Sequence, residues 1–185
     1  MIATQFLRDQ NILHTANLRL EQLGQQHAES LFAGINNLET RKLTGTHAIF
    51  TFEAVQKFLT GLPNRDDRAD WAIIRVADGA FIGEVVLNDL DTDNQAMNFR
   101  IGLQAEFLGQ GYGTEATRAV VNNGFEQVRL HRISLSVYAF NPRAQRVYEK
   151  CGFVKEGLER HALFWEGQWV DSIRMAILST DPRSS

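Results

Sequence analysis

Apolar residues recur along the chain with two different spacings. From Gln25 to Leu38 and from Phe52 to Leu62 they lie three or four positions apart, the spacing of a helix with one buried face. Residues 71–87 instead read WAIIRVADGAFIGEVVL, two apolar runs on either side of Asp78-Gly79. That pattern predicts two strands joined by a tight hairpin turn. The first half of the chain therefore combines helices with antiparallel strands.

Five further elements are predicted: a weak strand at Leu18–Leu23, a strand at Met97–Leu103, a helix at Thr114–Val128, a strand at Ile133–Val137 and a helix at Asn141–Lys150. The last helix begins at Asn141-Pro142, because asparagine caps helices well and proline suits the first helical position. Leu158–Trp165 and Trp169–Leu178 predict a closing hairpin. We therefore predict one domain over residues 1–185, of α/β (α+β) class. About four helices would pack on a central mixed, mostly antiparallel sheet of about seven strands.

The residue totals exclude several classes of function. With 19 Lys and Arg against 22 Asp and Glu, the chain has no basic field to attract a nucleic-acid backbone. No apolar run is long enough to span a membrane, and the N-terminus lacks the features of a signal peptide. The single cysteine, Cys151, suits a reducing compartment. We expect a cytoplasmic protein, a monomer or homodimer, with no nucleic-acid or membrane partner and no metal.

Residues 107–116 read FLGQGYGTEA, with glycines at 109, 111 and 113 between a predicted strand and a predicted helix. Backbone N–H groups at a helix N-terminus bind anions, and missing side chains let a phosphate approach them. A phosphate-binding loop of the nucleoside-triphosphate type has a lysine directly before its Ser or Thr. Here Gly113 occupies that position before Thr114, which excludes this type of loop. The dinucleotide pattern Gly111-x-Gly113-x-x-Ala116 lacks the acidic residue expected about 20 positions on. The third interpretation of this anion-binding loop is a site for the diphosphate of an acyl-coenzyme A, and a second motif supports it.

A second motif, NPRAQRVYEKCGFVKEG, covers residues 141–157. Together the two stretches resemble the GNAT N-acetyltransferase superfamily, in which a Q/R-x-x-G-x-G/A loop precedes an N-x-x-A/S-x-x-x-Y-E-K-x-G-F segment. The likeness is greatest to the branch of ribosomal-protein N-terminal and spermidine acetyltransferases. It departs from the family pattern at Leu108, where the family has Gln or Arg. The resemblance implies the GNAT fold, whose sheet splays at the acetyl-CoA site.

The resemblance also implies a set of residues that contact acetyl-CoA as cosubstrate: Ile101, Leu103, Leu108, Gly109, Gln110, Gly111, Tyr112, Gly113, Thr114, Asn141, Arg143, Ala144 and Tyr148. In this family, backbone groups of the strand before the loop, here Ile101 and Leu103, pair with the pantetheine arm. Tyr148 would protonate the departing thiolate. Arg143, Arg146 and Lys150 could meet the adenosine 3′-phosphate, or form a solvated helix face.

The general base is less evident, because Leu163 stands where some family members carry a glutamate. The candidate is Glu84, which interrupts an apolar strand; the alternative is a carboxylate that simply faces outward. At pH 7 an α-amine is roughly 10–15% neutral and a lysine amine only about 0.04%, a difference of about 3.4 kcal/mol. A weak base therefore favours an α-amine acceptor.

We predict an N-acetyltransferase that uses direct attack in a ternary complex, most simply on a protein N-terminal amine. One alternative is a small amine, such as a polyamine, an antibiotic or a metabolite, which Asp89, Asp91 and Asp93 could attract. The other is a non-catalytic acyl-CoA-binding module.

Overall fold

The computed structural model describes residues 2–183, which form one sheet of eight strands in the order β1-β2-β3-β4-β5-β6-β8-β7. The strands are β1 (Leu13–His14), β2 (Leu18–Gln22), β3 (Ala69–Arg75), β4 (Phe81–Asp91), β5 (Ala96–Leu103), β6 (Arg132–Tyr138), β7 (Val154–Trp165) and β8 (Gln168–Leu178). The helices are α1 (Gln5–Arg8), α2 (Ala28–Asn36), α3 (Leu38–Thr44), α4 (Phe52–Gly61), α5 (Tyr112–Asn123) and α6 (Pro142–Lys150). The mixed α/β class is confirmed. None of the helices in this range is long and apolar enough to cross a membrane.

The elements beyond the predicted seven strands and four helices are short. Strand β1 has two residues and α1 has four. The predicted Gln25–Leu38 helix ends at Asn36, because the backbone of Asn37 is extended (φ −60°, ψ 134°), and the unpredicted helix α3 begins at Leu38. The Asn37 side chain then caps the new helix by accepting hydrogen bonds from the Glu39 and Thr40 amides. Helix α5 ends at Asn123, five residues short of the predicted end, and a π-helical turn follows at 124–128.

The sheet divides between β5 and β6. These strands are parallel and pair at only three positions: Ala96 with Arg132, Met97 with Ile133, and Asn98 with Ser134. Beyond that point β5 pairs only with β4, and β6 only with β8. The two strands therefore diverge toward Leu103 and Tyr138, which confirms the splayed strands that the resemblance implied.

Alternation along the strands produces a separate core on each face of the sheet. On β3, Trp71 and Ile73 belong to the core that includes residues of α5 and α6, whereas Ala72 and Ile74 pack with residues of α2 and α4. On β5, Phe99 lies in the first core. Its neighbours Asn98 and Arg100 therefore lie on the opposite face, the face of α2 and α4.

Candidate active site

A cavity of about 550 Å³ opens where β5 and β6 diverge. Its walls come from α3, β5, the glycine loop, the start of α5, the end of β6 and α6. The predicted cofactor residues that line it are Ile101, Leu103, Leu108, Gly109, Gly111, Gly113, Thr114, Asn141, Arg143, Ala144 and Tyr148. Gln110, Tyr112 and Glu84 are absent from its lining.

The glycine loop turns through left-handed backbone conformations. Gly109 has φ +77° and Gly111 has φ +89°, values that favour glycine. A Cβ built at either position would meet nothing within 4 Å, so the backbone conformation, not crowding, requires these glycines. Gly113 has no such φ, and a Cβ there would lie 3.6 Å from Leu103 Cδ1, an ordinary contact. The absence of a side chain at Gly113 instead leaves the N-terminal end of α5 open to a ligand.

The start of α5 presents free backbone donors to the cavity. Among residues 2–183, no carbonyl or side chain accepts a hydrogen bond from the backbone N–H groups of 109–114; the first bond at this helix end is from Glu115 N to Gly111 O. Helix α5 has 12 residues, and its aligned peptide dipoles add about half a positive charge at this end. The loop and helix together form an anion-binding surface.

Glu115 holds this helix end from behind. Its carboxylate accepts hydrogen bonds from Thr15 Oγ1 (2.5 Å), the Asn17 backbone N–H (2.7 Å) and Asn17 Nδ2 (3.0 Å). Burial alone would raise the Glu115 pKa, but these bonds overcome it and hold the pKa below its usual value. The carboxylate thus ties α5 to the turn between β1 and β2. The motif GTEA contains Glu115, but only the fold reveals these partners.

The side chains of Gln110 and Tyr112, both predicted cofactor residues, contact other parts of the chain. Gln110 Nε2 donates to the Glu106 carbonyl at 2.8 Å. The Arg75 guanidinium stacks on the Phe107 ring at 4.8 Å, and Tyr112 packs against the first core. Both side chains are thus engaged by other parts of the chain, and neither residue lines the cavity.

Helix α6 supplies polar groups to the opposite wall. Asn141 Oδ1 accepts a hydrogen bond from Ala144 N at 3.1 Å, so the predicted helix cap is observed. The cap uses only the amide oxygen and leaves the Asn141 NH₂ as a donor toward the cavity. Arg143, Arg146 and Lys150 also line the cavity. Their cationic groups form no ion pair with the residues described.

Tyr148 lies at the base of the cavity and is buried. Its ring packs edge-on against Phe99, with the ring centroids 6.1 Å apart. Burial raises the Tyr148 pKa above its ordinary value of about 10, and the neighbouring Cys151 adds to the rise. The phenol therefore keeps its proton at neutral pH. Burial also raises the pKa of the Cys151 thiol to about 11, so this thiol is not an activated nucleophile.

Glu84 lies in a second, smaller cavity of about 20 Å³, enough for one water molecule. Thr40, Gly102 and Leu103 line both cavities, so the two adjoin. The half-buried Glu84 side chain forms no hydrogen bond or ion pair within residues 2–183. Burial raises its pKa; Arg100 opposes the rise, Asp70 adds to it and Arg68 opposes it. Glu84 is thus a recessed carboxylate beside the main cavity, not a side chain that simply faces solvent.

The sequence did not predict the wall that closes the cavity on the α3 side. Thr40, Leu43 and Thr44 of α3 line the cavity. Lys42 Nζ lies 3.1 Å from Glu166 in the β7–β8 turn, and in the same region His47 stacks on Trp165 at 5.0 Å. These contacts join α3 and the segment after it to the hairpin.

The acidic residues expected to attract a polyamine lie elsewhere. Asp89, Asp91 and Asp93 belong to the far end of the β4–β5 hairpin and line neither cavity. Asp91 is engaged locally, since it accepts hydrogen bonds from Asn94 N (2.9 Å) and Asn94 Nδ2 (2.8 Å). Nor do residues 2–183 contain a group of three His, Cys, Asp or Glu side chains that could hold a metal.

Comparison with known proteins identifies the family. Residues 17–154 match the model of the Acetyltransferase (GNAT) domain. The YjcK protein of Bacillus subtilis, which is named as a probable N-acetyltransferase, is 33% identical over 144 residues, which cover 71% of this chain and 75% of YjcK. The chain belongs to the GNAT acetyltransferase family, and it is an N-acetyltransferase with acetyl-CoA as cosubstrate.

Other relatives carry names that specify different acceptors. The spermidine N(1)-acetyltransferase of Escherichia coli K12 is 31% identical over 111 residues, 60% of either chain. The protein named ribosomal N-acetyltransferase YdaF, from Bacillus subtilis, is 29% identical over 56% of this chain and 57% of its own. The chain thus matches only about three fifths of each of these two relatives.

A solved structure shares the fold. The spermidine N-acetyltransferase of Vibrio cholerae, in complex with CoA and spermine, superposes with a TM-score of 0.85 at 23% identity. The match covers 90% of this chain and 98% of that one.

The geometry of the glycine loop predicts that Gly111→Val abolishes CoA binding. A β-branched residue strongly disfavours φ +89°, and its side chain would occupy the open space before the free amides. The matched control is Gly79→Val, at φ +72° in the β3–β4 turn and outside the cavity. We expect both variants to lose stability in thermal melts, and only Gly111→Val to lose CoA binding by calorimetry. Equal CoA affinities in the two variants would contradict the site.

Proposed function

We propose that this chain, acting as one catalytic domain over residues 1–185, acetylates the N-terminal α-amine of a peptide or protein. The observation that carries this proposal is the charge of the main cavity. The ionisable side chains of its described lining include Arg100, Arg143, Arg146 and Lys150, and no Asp or Glu. A polyamine carries several positive charges at neutral pH and would find no counter-charge there. A peptide N-terminus carries one charge and loses it readily.

In this proposal the cofactor spans the cavity from α6 to α5. The diphosphate binds the backbone amides of residues 109–114, and the 3′-phosphate binds Arg143, Arg146 or Lys150. The pantetheine arm pairs with backbone groups of Ile101 and Leu103 and accepts a hydrogen bond from the Asn141 amide. Support comes from the free donors at each position and from the open flank of β5. Leu108 adds no polar contact, so binding depends on the backbone.

The transfer itself is a direct displacement. The neutral amine attacks the thioester carbonyl, a backbone N–H on the open flank of β5 stabilises the developing oxyanion, and the C–S bond then breaks. Tyr148 gives its proton to the CoA thiolate. A raised phenol pKa makes that transfer less favourable than from an ordinary tyrosine, because the thiol of CoA has a pKa near that of cysteine, about 8.5. Tyr148 is therefore a modest acid.

Glu84 serves as the general base through one water molecule. The small cavity has room for that water and meets the main cavity at Gly102 and Thr40. A raised pKa brings a carboxylate closer to the operating pH, which improves it as a base. Because the relay is indirect, an acceptor that is already partly neutral suits this site better than a lysine side chain.

A polyamine acceptor is the second candidate, and the identity to spermidine N(1)-acetyltransferase of Escherichia coli favours it. The discriminating experiment incubates the enzyme and acetyl-CoA with three acceptors: peptides with a free N-terminus, the same peptides blocked at the α-amine but carrying lysine, and spermidine. We expect free N-termini to be acetylated with a kcat/KM at least about tenfold above both other classes, since each tenfold step needs only about 1.4 kcal/mol. Mass spectrometry locates the acetyl group. Faster turnover of spermidine than of every peptide would overturn the proposal.

Tyr148→Phe tests the acid. Removing the hydroxyl should lower kcat by roughly 10- to 100-fold, at or below the low end for general acids, because the buried phenol is poorly matched to the thiolate. The CoA dissociation constant should stay within about twofold, since the ring and its packing remain. Steady-state release of CoA, followed with a thiol reagent, measures kcat. An unchanged kcat would remove Tyr148 from the chemistry.

Glu84→Gln tests the base through the pH profile. The carboxylate acts only when deprotonated, and burial raises its pKa, so kcat/KM of the native enzyme should fall on the acid side at a pH above the usual glutamate value of about 4.3. The Glu84→Gln variant should lack this fall in kcat/KM at acid pH. Its profile should show only the dependence that comes from protonation of the acceptor amine. Glu53→Gln, at an exposed position on α4, is the control and should leave the profile unchanged. Identical profiles for Glu84→Gln and the native enzyme would exclude Glu84.

A further inference from the structure

Arg100 is a cation of the main cavity that the proposed chemistry does not use. It lies on β5 two residues past Asn98, the last residue that pairs with β6, so one flank faces the opening of the cleft. Arg100 is exposed and forms no hydrogen bond or ion pair with any residue from 2 to 183. The contrast is Arg68, which grips Asp70 with two hydrogen bonds of 2.7 and 2.6 Å on the same face of the sheet. Arg100 therefore has an unmet capacity for an anion.

The face on which Arg100 lies separates it from the proposed cofactor cations. Tyr148 of α6 packs on Phe99, which is the preceding residue of β5 and lies on the opposite face. Arg143, Arg146 and Lys150 are also on α6 and would meet the CoA phosphates. Arg100 instead shares its face with Glu84 and Gly102. The phosphates would thus leave the charge of Arg100 uncompensated on the acceptor side.

The surroundings of Arg100 favour an anion from outside the chain. Its register partner on β4 is Val86, and the nearby Asn88 and Asn98 bond to each other at 2.9 Å. Gly102, two residues on, contributes no side chain on this face. The carboxylate that influences it across the strands is Glu84, the diagonal neighbour, whose pKa Arg100 lowers without contact. A guanidinium binds a carboxylate with two parallel hydrogen bonds, which makes it selective as well as attractive.

We propose that Arg100 selects acceptors that carry a carboxylate one residue from the reacting amine, that is, peptides with Asp or Glu at the second position. The proposal rests on the proposed N-terminal function. Diagonal neighbours on paired strands lie about 7–8 Å apart. This spacing suits a peptide whose α-amine lies near Glu84 and whose second side chain carries a carboxylate near Arg100. The two groups of such a peptide are separated by about one extended residue plus a side chain.

The test compares two peptides that differ only in Glu or Gln at position 2, with native enzyme, Arg100→Gln and Arg100→Lys. For native enzyme we expect kcat/KM to be about 10- to 100-fold higher for the Glu peptide, the range for a hydrogen-bonded charge pair. Arg100→Gln should bring the ratio to about 1, and Arg100→Lys should keep part of it. The CoA dissociation constant verifies folding. Arg160→Gln, at an exposed position on β7 outside both cavities, should keep the native ratio.

The outcomes separate this inference from the function on which it rests. If native enzyme acetylates both peptides equally, the selectivity is wrong and the N-terminal function stands. If it acetylates neither peptide, the function itself fails. If Arg100→Gln slows both peptides equally and moves the acid limb of the pH profile upward, Arg100 acts by keeping Glu84 ionised, and the selectivity is overturned. Loss of the ratio in Arg100→Gln supports the proposal, and an upward shift of the acid limb is expected in that variant in either case, because Arg100 lowers the Glu84 pKa.

Discussion

The separation of β5 from β6 is the constraint on which the site depends. Three paired positions hold the strands together at one end, and past Asn98 and Ser134 each keeps only its outer neighbour. Backbone N–H and C=O groups on the open flank of β5 then have no strand partner. Such groups are costly to bury and ready to pair with a ligand. The same divergence creates the cavity, so the site and its hydrogen-bonding edge have one cause.

Chain continuity brings the anion-binding surface to this opening. Strand β5 ends at Leu103, and within nine residues the loop enters α5, whose first amides face the same cavity. The tie from Glu115 to Thr15 and Asn17 fixes that helix end against the sheet. Charges divide between the two faces of the sheet. The cations of α6 lie on one face, while Arg100 and the recessed Glu84 lie on the other. In the proposed reaction, the acetyl donor and the acceptor would therefore be bound from opposite faces of the sheet.

Much of this arrangement could be predicted from the sequence, because it depends on local signals. The hairpin at Asp78-Gly79, the glycine loop and the cap at Asn141 each follow from residues that act on their own neighbours. Helix α3 could not, because Asn37 reads equally well as a continuation of α2 and as the cap of a new helix. The sequence therefore did not predict the wall of the cavity that α3 forms.

The electrostatics of the site depend on contacts distant in sequence. Glu84 reads as an outward carboxylate until its neighbour on β5 proves to be Gly102, which leaves a pocket beside it. Likewise, the sequence does not show which carboxylates lie near Arg100, so it could not predict that Arg100 has no ion-pair partner among residues 2–183. The acidic residues that do stand out, Asp89 to Asp93, lie at a distant turn. The sequence predicted an N-terminal amine as acceptor, and these acidic residues, the reason for the polyamine alternative, lie away from the cavity.

The most direct test is a crystal structure of this chain with acetyl-CoA. We expect diphosphate oxygens within hydrogen-bond distance, about 3 Å, of the backbone amides of residues 111–114, with the thioester between β5 and β6. A cofactor bound with its diphosphate away from this loop, or with β5 and β6 closed along their whole length, would contradict it.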